Sequence, residues 1–364
     1  MSDVSISNLG QAPSPAQPGL TRRKSHWLNW DRVMHGVARG SGLVIVLMLA
    51  SLVVVLVVAA APSMKRFGFG FLTTTNWQPN ERQVPRLDAH GKVVKDEDGQ
   101  IVMDTNPPSF GALPMIYGTT VSSALALLLA APLSVGAALF LVRIAPRVIV
   151  PPISFLIEFL AAIPSLAYGI WGLFVLAPFL RNYVEPAAFR VFGGVWGFGW
   201  LFYDHEGRRH LLTGLDMLCG GLILGIMIIP IITAISRDIL ASVPRAQLEG
   251  TVALGATWWQ SALEMIEFSR SGLFGAIILG LARAAGETMA VTMVIGNNPH
   301  IALSVFARAQ TMSSLLASKF QEAEDLDRSA LLEIALILLV MSLLFNVTAR
   351  WLVVGKDSHG AAAH

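Results

Sequence analysis

The chain has 364 residues, 54% of them hydrophobic and only 14% charged, with a formal net charge of +2 and a mean hydropathy of +0.60. Soluble domains carry roughly 25% charged residues, and no soluble core can hide a run such as VIVLMLASLVVVLVVAA, so the composition points to a polytopic membrane protein. The small net charge, with basic residues scattered over short loops, argues against a nucleic-acid partner. Cys219 is the only cysteine, which excludes an intrachain disulfide and a cysteine-rich metal site. It reads as a small packing residue beside Gly220 and Gly221, and with no HExxH-like cluster a metal is not expected.

In chain order, a Ser-, Pro- and Gln-rich start leads through TRRKSHWLNWDR into an apolar run from Ser41 to Ala61. That run is longer than the 7–15 residues of a signal-peptide core, so it is read as a retained first span, with a cleaved leader as the alternative. Further spans are expected at 119–141, 153–179, 212–233, 272–295 and 331–354, each long enough to cross a hydrocarbon core of about 30 Å. The expected fold is therefore all-α with six transmembrane helices. Arg22, Arg23, Lys24, Arg32, Arg39, Arg143, Arg147, Arg237, Arg245, Arg270, Arg350 and Lys356 fall on one side if both termini are cytoplasmic. This divides the chain into a tail at 1–39, a six-span body at 40–354 and a tail at 355–364. The outer loop at 62–118 holds VPRLDAHGKVV and GQIVMD around DEDG, which suit either a small hairpin or a plain loop. Pro132, Pro164, Pro178 and Pro230 mark breaks or kinks in or beside the spans.

Two features carry chemistry. In GLARAAGETMAVTMVI, Arg283 and Glu287 stand inside a membrane-grade apolar run; four residues apart, they are expected to share a helix face and to pair. Arginine suits transient contact with an oxyanion because its planar donor fork stays charged. A translocation path and a structural ion pair both remain open for these two residues. Thr288 and Thr292, and Thr119, Thr120, Ser122 and Ser123 on span two, are hydroxyls that serve either an anion or helix packing. Glu158 in span three is expected to pair with a base such as Arg143 or to face the path. The second feature is the segment 238–270, where Pro244 starts a short helix and Gly255 ends it before Thr257 and Trp258. A lipid-surface anchor, a connector and a docking knob are all compatible with it, the knob offering Leu248, Val252 and Ala253 as an apolar face.

LEGTVALGATWW at 248–259 resembles the "EAA" loop of ABC-transporter permeases. Glu249 and Gly255 match its pattern, while Gly250 and Thr251 replace the two alanines. FGFGFLTTTNW at 67–77, FGALPMIYGTTVSS at 110–123, PPISFLIEFLAAIPSLAYGIWG at 151–172 and SRSGLFGAIILGLARAAGETMAVTMVIGN at 269–297 together resemble the C-type permease subunit of phosphate ABC importers. The resemblance covers most of 40–354, and the segment 79–107 is longer than is usual for that family. It implies an importer permease fold in a bacterial inner membrane. It also implies a translocation role for Arg283, Glu287 and Thr288, and coupling to an ATPase through Leu248, Glu249, Gly250, Thr251 and Gly255.

The implied partners are a homologous A-type permease subunit, two copies of a cytoplasmic ATPase, a periplasmic phosphate-binding protein, inorganic phosphate and membrane lipid. ATP and Mg would be bound by the ATPase and no cofactor by this chain, since VVGKDS at 353–358 lacks the rest of a phosphate-binding loop. Without the resemblance, a secondary anion transporter coupling Arg and Glu to proton movement, a permease for another oxyanion and a non-transport scaffold are the rival readings.

Overall fold

The computed structural model describes residues 27–79, 82–85, 103–193, 202 and 213–360. The chain divides into two units, 1–53 and 54–364. Through residue 53 the described part of the first unit is the start of one continuous apolar helix, α1 (Trp27–Phe67). The second unit is a helical bundle with two small two-stranded sheets. It contains the end of α1, then α2 (Gly70–Thr73), β1 (Trp77–Gln78), β2 (Arg82–Pro85), β3 (Met103–Asn106) and β4 (Ser109–Phe110). Next come α3 (Leu113–Arg143), α4 (Val150–Ala162), α5 (Ser165–Trp171), α6 (Ala177–Phe179) and α7 (Glu185–Phe192), the last three joined into one rod by π-helical turns at Gly172–Leu176 and Leu180–Val184. The remaining elements are α8 (Met217–Ala241), α9 (Arg245–Ala253), α10 (Trp258–Phe268), α11 (Arg270–Gly286), α12 (Met289–Val294), α13 (Met312–Lys319) and α14 (Asp325–Gly360).

Among the described residues, four helices are long and apolar enough to cross a membrane; six crossings result when each of two bent pairs is taken as one span. The expected third span is not one straight helix. It breaks at Ile163 and Pro164, and its halves meet at 89°, because proline has no amide hydrogen to continue the ladder and disfavours helical geometry in the residue before it. α10 meets α11 at 68°, and the expected fifth span breaks again at Glu287 and Thr288.

The centre of the bundle is the packing of α3 on α8. A side chain at Gly221 would meet Leu125, and one at Gly225 would meet Ala126. Around this junction Ala126, Ala130, Leu224, Ile228 and Ile232 form a buried cluster with Ala276, Ala284 and Val291. Small residues let the helix backbones approach, which is the main source of packing energy where lipid is as apolar as leucine. Ser134 donates to the Ile229 carbonyl at 3.1 Å, linking the two helices next to Pro230. Cys219 is fully buried, as a packing residue should be.

At the strand end, β1 pairs with β4 and β2 with β3, both antiparallel. Of the hairpin segments suggested by the sequence, Val84 and Pro85 pair with Asp104 and Met103, while residues 86–102 lie outside the described residues. The FGFGFLTTTNW stretch supplies an aromatic cluster in which Phe110 meets Trp77 at 5.0 Å and Phe67 at 5.6 Å, both edge-to-face.

Gly118 is a very tight helix approach at this end. A Cβ there would lie 2.2 Å from the Gln310 carbonyl oxygen, a backbone atom. Gly118→Ala should therefore destabilise the protein by about 1–3 kcal/mol despite its better helix propensity. A lowered thermal midpoint in detergent tests this, and an unchanged or raised midpoint contradicts it.

Candidate functional site

α11 carries a buried stripe of Leu273, Ala276, Gly280 and Ala284, with Gly280 against Ile232 of α8. Arg283 stands on the flank of this stripe, in an exposed row with Gly275, Leu279 and Gly286. The helix stops at Gly286, and Glu287 is extended, with φ −69° and ψ 130°. The expectation that Arg283 and Glu287 share one helix face is therefore corrected, because a break separates them and they form no ion pair among the described residues. Glu287 turns inward and is 9% exposed. Its carboxylate accepts the Ala290 amide hydrogen at 3.5 Å, its carbonyl accepts the Ser313 hydroxyl at 2.8 Å, and both bonds brace the break.

Thr288 donates to the Gly286 carbonyl and Thr292 to the Thr288 carbonyl, so both hydroxyls serve the interrupted backbone. On α3, Ser122 donates to the Thr119 carbonyl, and Thr119 both donates to the Met115 carbonyl and accepts the Met312 amide hydrogen at 2.9 Å. Ser123 is buried with its hydroxyl uncommitted among the described residues. The first turn of α13 thus joins the N-terminal half of α3 to the break beside Glu287. Sequence spacing could not reveal Ser313 or Thr311 as part of this junction, because the chain returns to it only after the loop at 296–311.

Glu158 is not the partner of Arg143. Its carboxylate lies 3.9 Å from Arg237, which also holds Asp238 at 3.0 Å. Arg143 instead donates to the Ser261 hydroxyl at 3.3 Å. α4 packs against α8, which brings Glu158 to Arg237, a proximity that sequence distance does not convey.

At the opposite end from the strands, Pro244 is the N-cap of α9 and Leu254 its C-cap. Gly255 follows at φ +84°, a left-handed conformation that glycine adopts without strain. Thr257 and Gln260 then form a reciprocal capping box that starts α10. Leu248 packs inward on Leu240, Val243, Ala262 and Met265. This corrects its expected place on the docking face, where the exposed apolar side chains are Val252, Ala253 and Leu254. Thr251, one of the two departures from the loop pattern, bonds the Leu248 carbonyl at 2.8 Å and reaches Ser261 at 3.4 Å. Glu249 and Gly250 face outward, and a Cβ at Gly250 would meet nothing within 4 Å. α9 is thus pinned through Leu248 and Thr251 to the helix that leads into α11, with its other face open. Arg143, Arg237, Arg245 and Arg270 all gather at this end.

No family model matches the chain. It is 37% identical to the phosphate transport system permease protein PstC of Mesorhizobium japonicum, over 91% of this chain and 92% of that protein. It is 36% identical to the PstC of Haemophilus influenzae, over 85% and 89%, and 33% identical to PstC 2 of Mycobacterium tuberculosis, over 90% and 92%. Among solved structures, an inward-facing MetNI methionine ABC transporter aligns with a TM-score of 0.46 at 16% identity, over 67% of this chain and 94% of that one. With these relatives, the multi-pass helical bundle with its interrupted charged helix and exposed loop helix is a transport permease. More particularly, the chain belongs to the PstC family of phosphate transport system permease proteins.

Proposed function

We propose that the chain is the membrane-spanning permease subunit of an ATP-driven importer of inorganic phosphate, forming half of the translocation path. The carrying observation, within this family, is Arg283: a guanidinium exposed at the end of α11, beside a helix break, with no carboxylate bound to it among the described residues. Its donors can meet an oxyanion, while the inward Glu287 holds the break and limits how tightly an anion is retained. Release is as necessary as binding for transport.

On this reading the end carrying α9 is cytoplasmic, as are both termini, and the membrane is the bacterial inner membrane. The exposed face of α9 receives a cytoplasmic ATPase, two copies of which bind ATP and Mg; this chain binds neither. A homologous A-type permease subunit completes the path, and a periplasmic phosphate-binding protein delivers substrate at the strand end. Closure of the ATPase pushes α9, and its link through Thr251 and Ser261 carries the movement into α10 and α11.

The test is uptake into vesicles holding the complete assembly. Labelled phosphate should accumulate only with ATP, and excess unlabelled sulfate or molybdate should not compete. Uptake that survives ATP depletion but collapses with the proton gradient would establish a secondary transporter instead, and effective competition by another oxyanion would reassign the substrate.

A further inference from the structure

A second constellation lies at the strand-side end of α8, apart from Arg283 and α9. Glu185, at the start of α7, is completely buried, and Asp216, just ahead of α8, is 1% exposed. The two side chains meet within hydrogen-bonding reach. Asp216 Oδ1 accepts the Cys219 amide hydrogen at 2.7 Å and so caps α8. Asp216 Oδ2 and both Glu185 oxygens have no well-aligned donor among the described residues, although the Gly214 amide lies beside Glu185. Two ionised carboxylates cannot remain side by side in such a place; one proton between them turns repulsion into a hydrogen bond.

The surroundings make this pair a joint between three segments. Gly214, at φ +71°, lies so close to α6 that a Cβ would be 2.0 Å from the Ala177 carbonyl oxygen. The first amide hydrogens of α8, at Met217 and Leu218, are accepted by the Ala307 and Val305 carbonyls at 3.0 and 2.8 Å. Phe202 seals the region, stacked on Phe306 at 5.2 Å and edge-on to Phe189 at 5.3 Å. The joint therefore holds the α5–α7 rod, the α8 terminus and the 296–311 loop, and that loop continues into α13 and the brace on Glu287.

We propose that Glu185 and Asp216 share one proton and form a pH-sensitive latch, closed when the proton is held and loosened when it leaves. Complete burial and the shortage of donors hold the proton on the pair, since the Cys219 amide is the one aligned donor to it among the described residues. The joint therefore weakens as rising pH removes the shared proton and leaves two buried charges side by side. The other titratable or charged groups near the pair are Arg181, one turn before Glu185, and Cys219 on α8. On the loop side Arg308 is exposed, with its stem against Gly296. Of these, Arg181 favours the ionised form of Glu185 and so adds to the opening at high pH.

The consequence for phosphate import rests on the function proposed above, but the latch itself does not, so its test uses no substrate. Amide hydrogen exchange across 217–220 in the assembled, phosphate-free complex should be compared at pH 5.5 and pH 8, corrected for intrinsic exchange rates. Protection in the wild type should fall by about tenfold or more at the higher pH. Glu185→Gln supplies a permanent amide donor to Asp216, and Asp216→Asn keeps the cap acceptor without the charge, so both should show flat profiles. A parallel fall in protection in the wild type and both variants, or no fall in the wild type, would overturn the latch.

Discussion

Arg283→Ala is expected to cut ATP-dependent phosphate uptake by about 10- to 150-fold in the reconstituted importer, the equivalent of one charge-assisted hydrogen bond of about 1.5–3 kcal/mol. Assembly and ATP binding should persist, because Arg283 is exposed and bonds no other described side chain, so its removal leaves the packing of α11 on α8 intact. Arg283→Lys should give an intermediate rate, since it keeps the charge without the planar fork that matches two phosphate oxygens. Unchanged uptake in the alanine variant would remove Arg283 from the path. A fall in assembly matching the fall in uptake would make it a structural residue instead.

The second large effect is expected at the other end of the machine. Val252→Asp together with Leu254→Asp places two carboxylates on the open face of α9, where both native side chains are more than half exposed. If this face seats the ATPase, removing an apolar anchor from the buried centre of the interface costs about 2 kcal/mol or more per residue, and co-purification of the ATPase with the permease should fail. The thermal midpoint of the permease alone should hardly move, because neither side chain packs within the chain. Leu248→Ala provides the contrast: it opens a gap in the cluster with Leu240, Val243 and Met265, so it should lower the midpoint of the permease itself. Retention of the ATPase by the double variant would reject this face as the docking surface.

These two experiments separate substrate binding from force transmission, and the geometry explains why both are needed. α9 is tied to the rest of the chain through Leu248 and the Thr251–Ser261 pair, and α10 continues from there toward α11 and Arg283. On the function proposed above, a push on α9 would reach the break at Glu287 through α10 and α11, which meet at 68°. That break is capped toward Ala290 and braced by Ser313 of α13, a bond that movement of α13 relative to α11 would break.

Much of this was legible in the sequence because it depends on local chemistry. Continuous apolar runs specify spans, since an unsatisfied backbone in lipid is too costly for any other form. Pro244, Gly255 and Thr257 delimit α9 because each acts on its own φ, amide or cap, and the structure places the element where those residues put it. Charges inside an apolar run single out Arg283 and Glu287 as candidates from the sequence alone.

Only the tertiary structure decided how those residues face one another. The i to i+4 spacing of Arg283 and Glu287 means a shared face only if the helix is continuous, and the loop returning through Ser313 stabilises a break there. Glu158 meets Arg237 instead of Arg143 because α4 packs against α8. Leu248 points inward because α9 must bury one apolar side chain against Leu240 and Met265 to stay attached. Glu185 and Asp216 are separated by a long stretch of chain and belong to no shared motif in the sequence. Their burial together arises from non-local packing of α7, α8 and the 296–311 loop, which no local pattern of residues encodes.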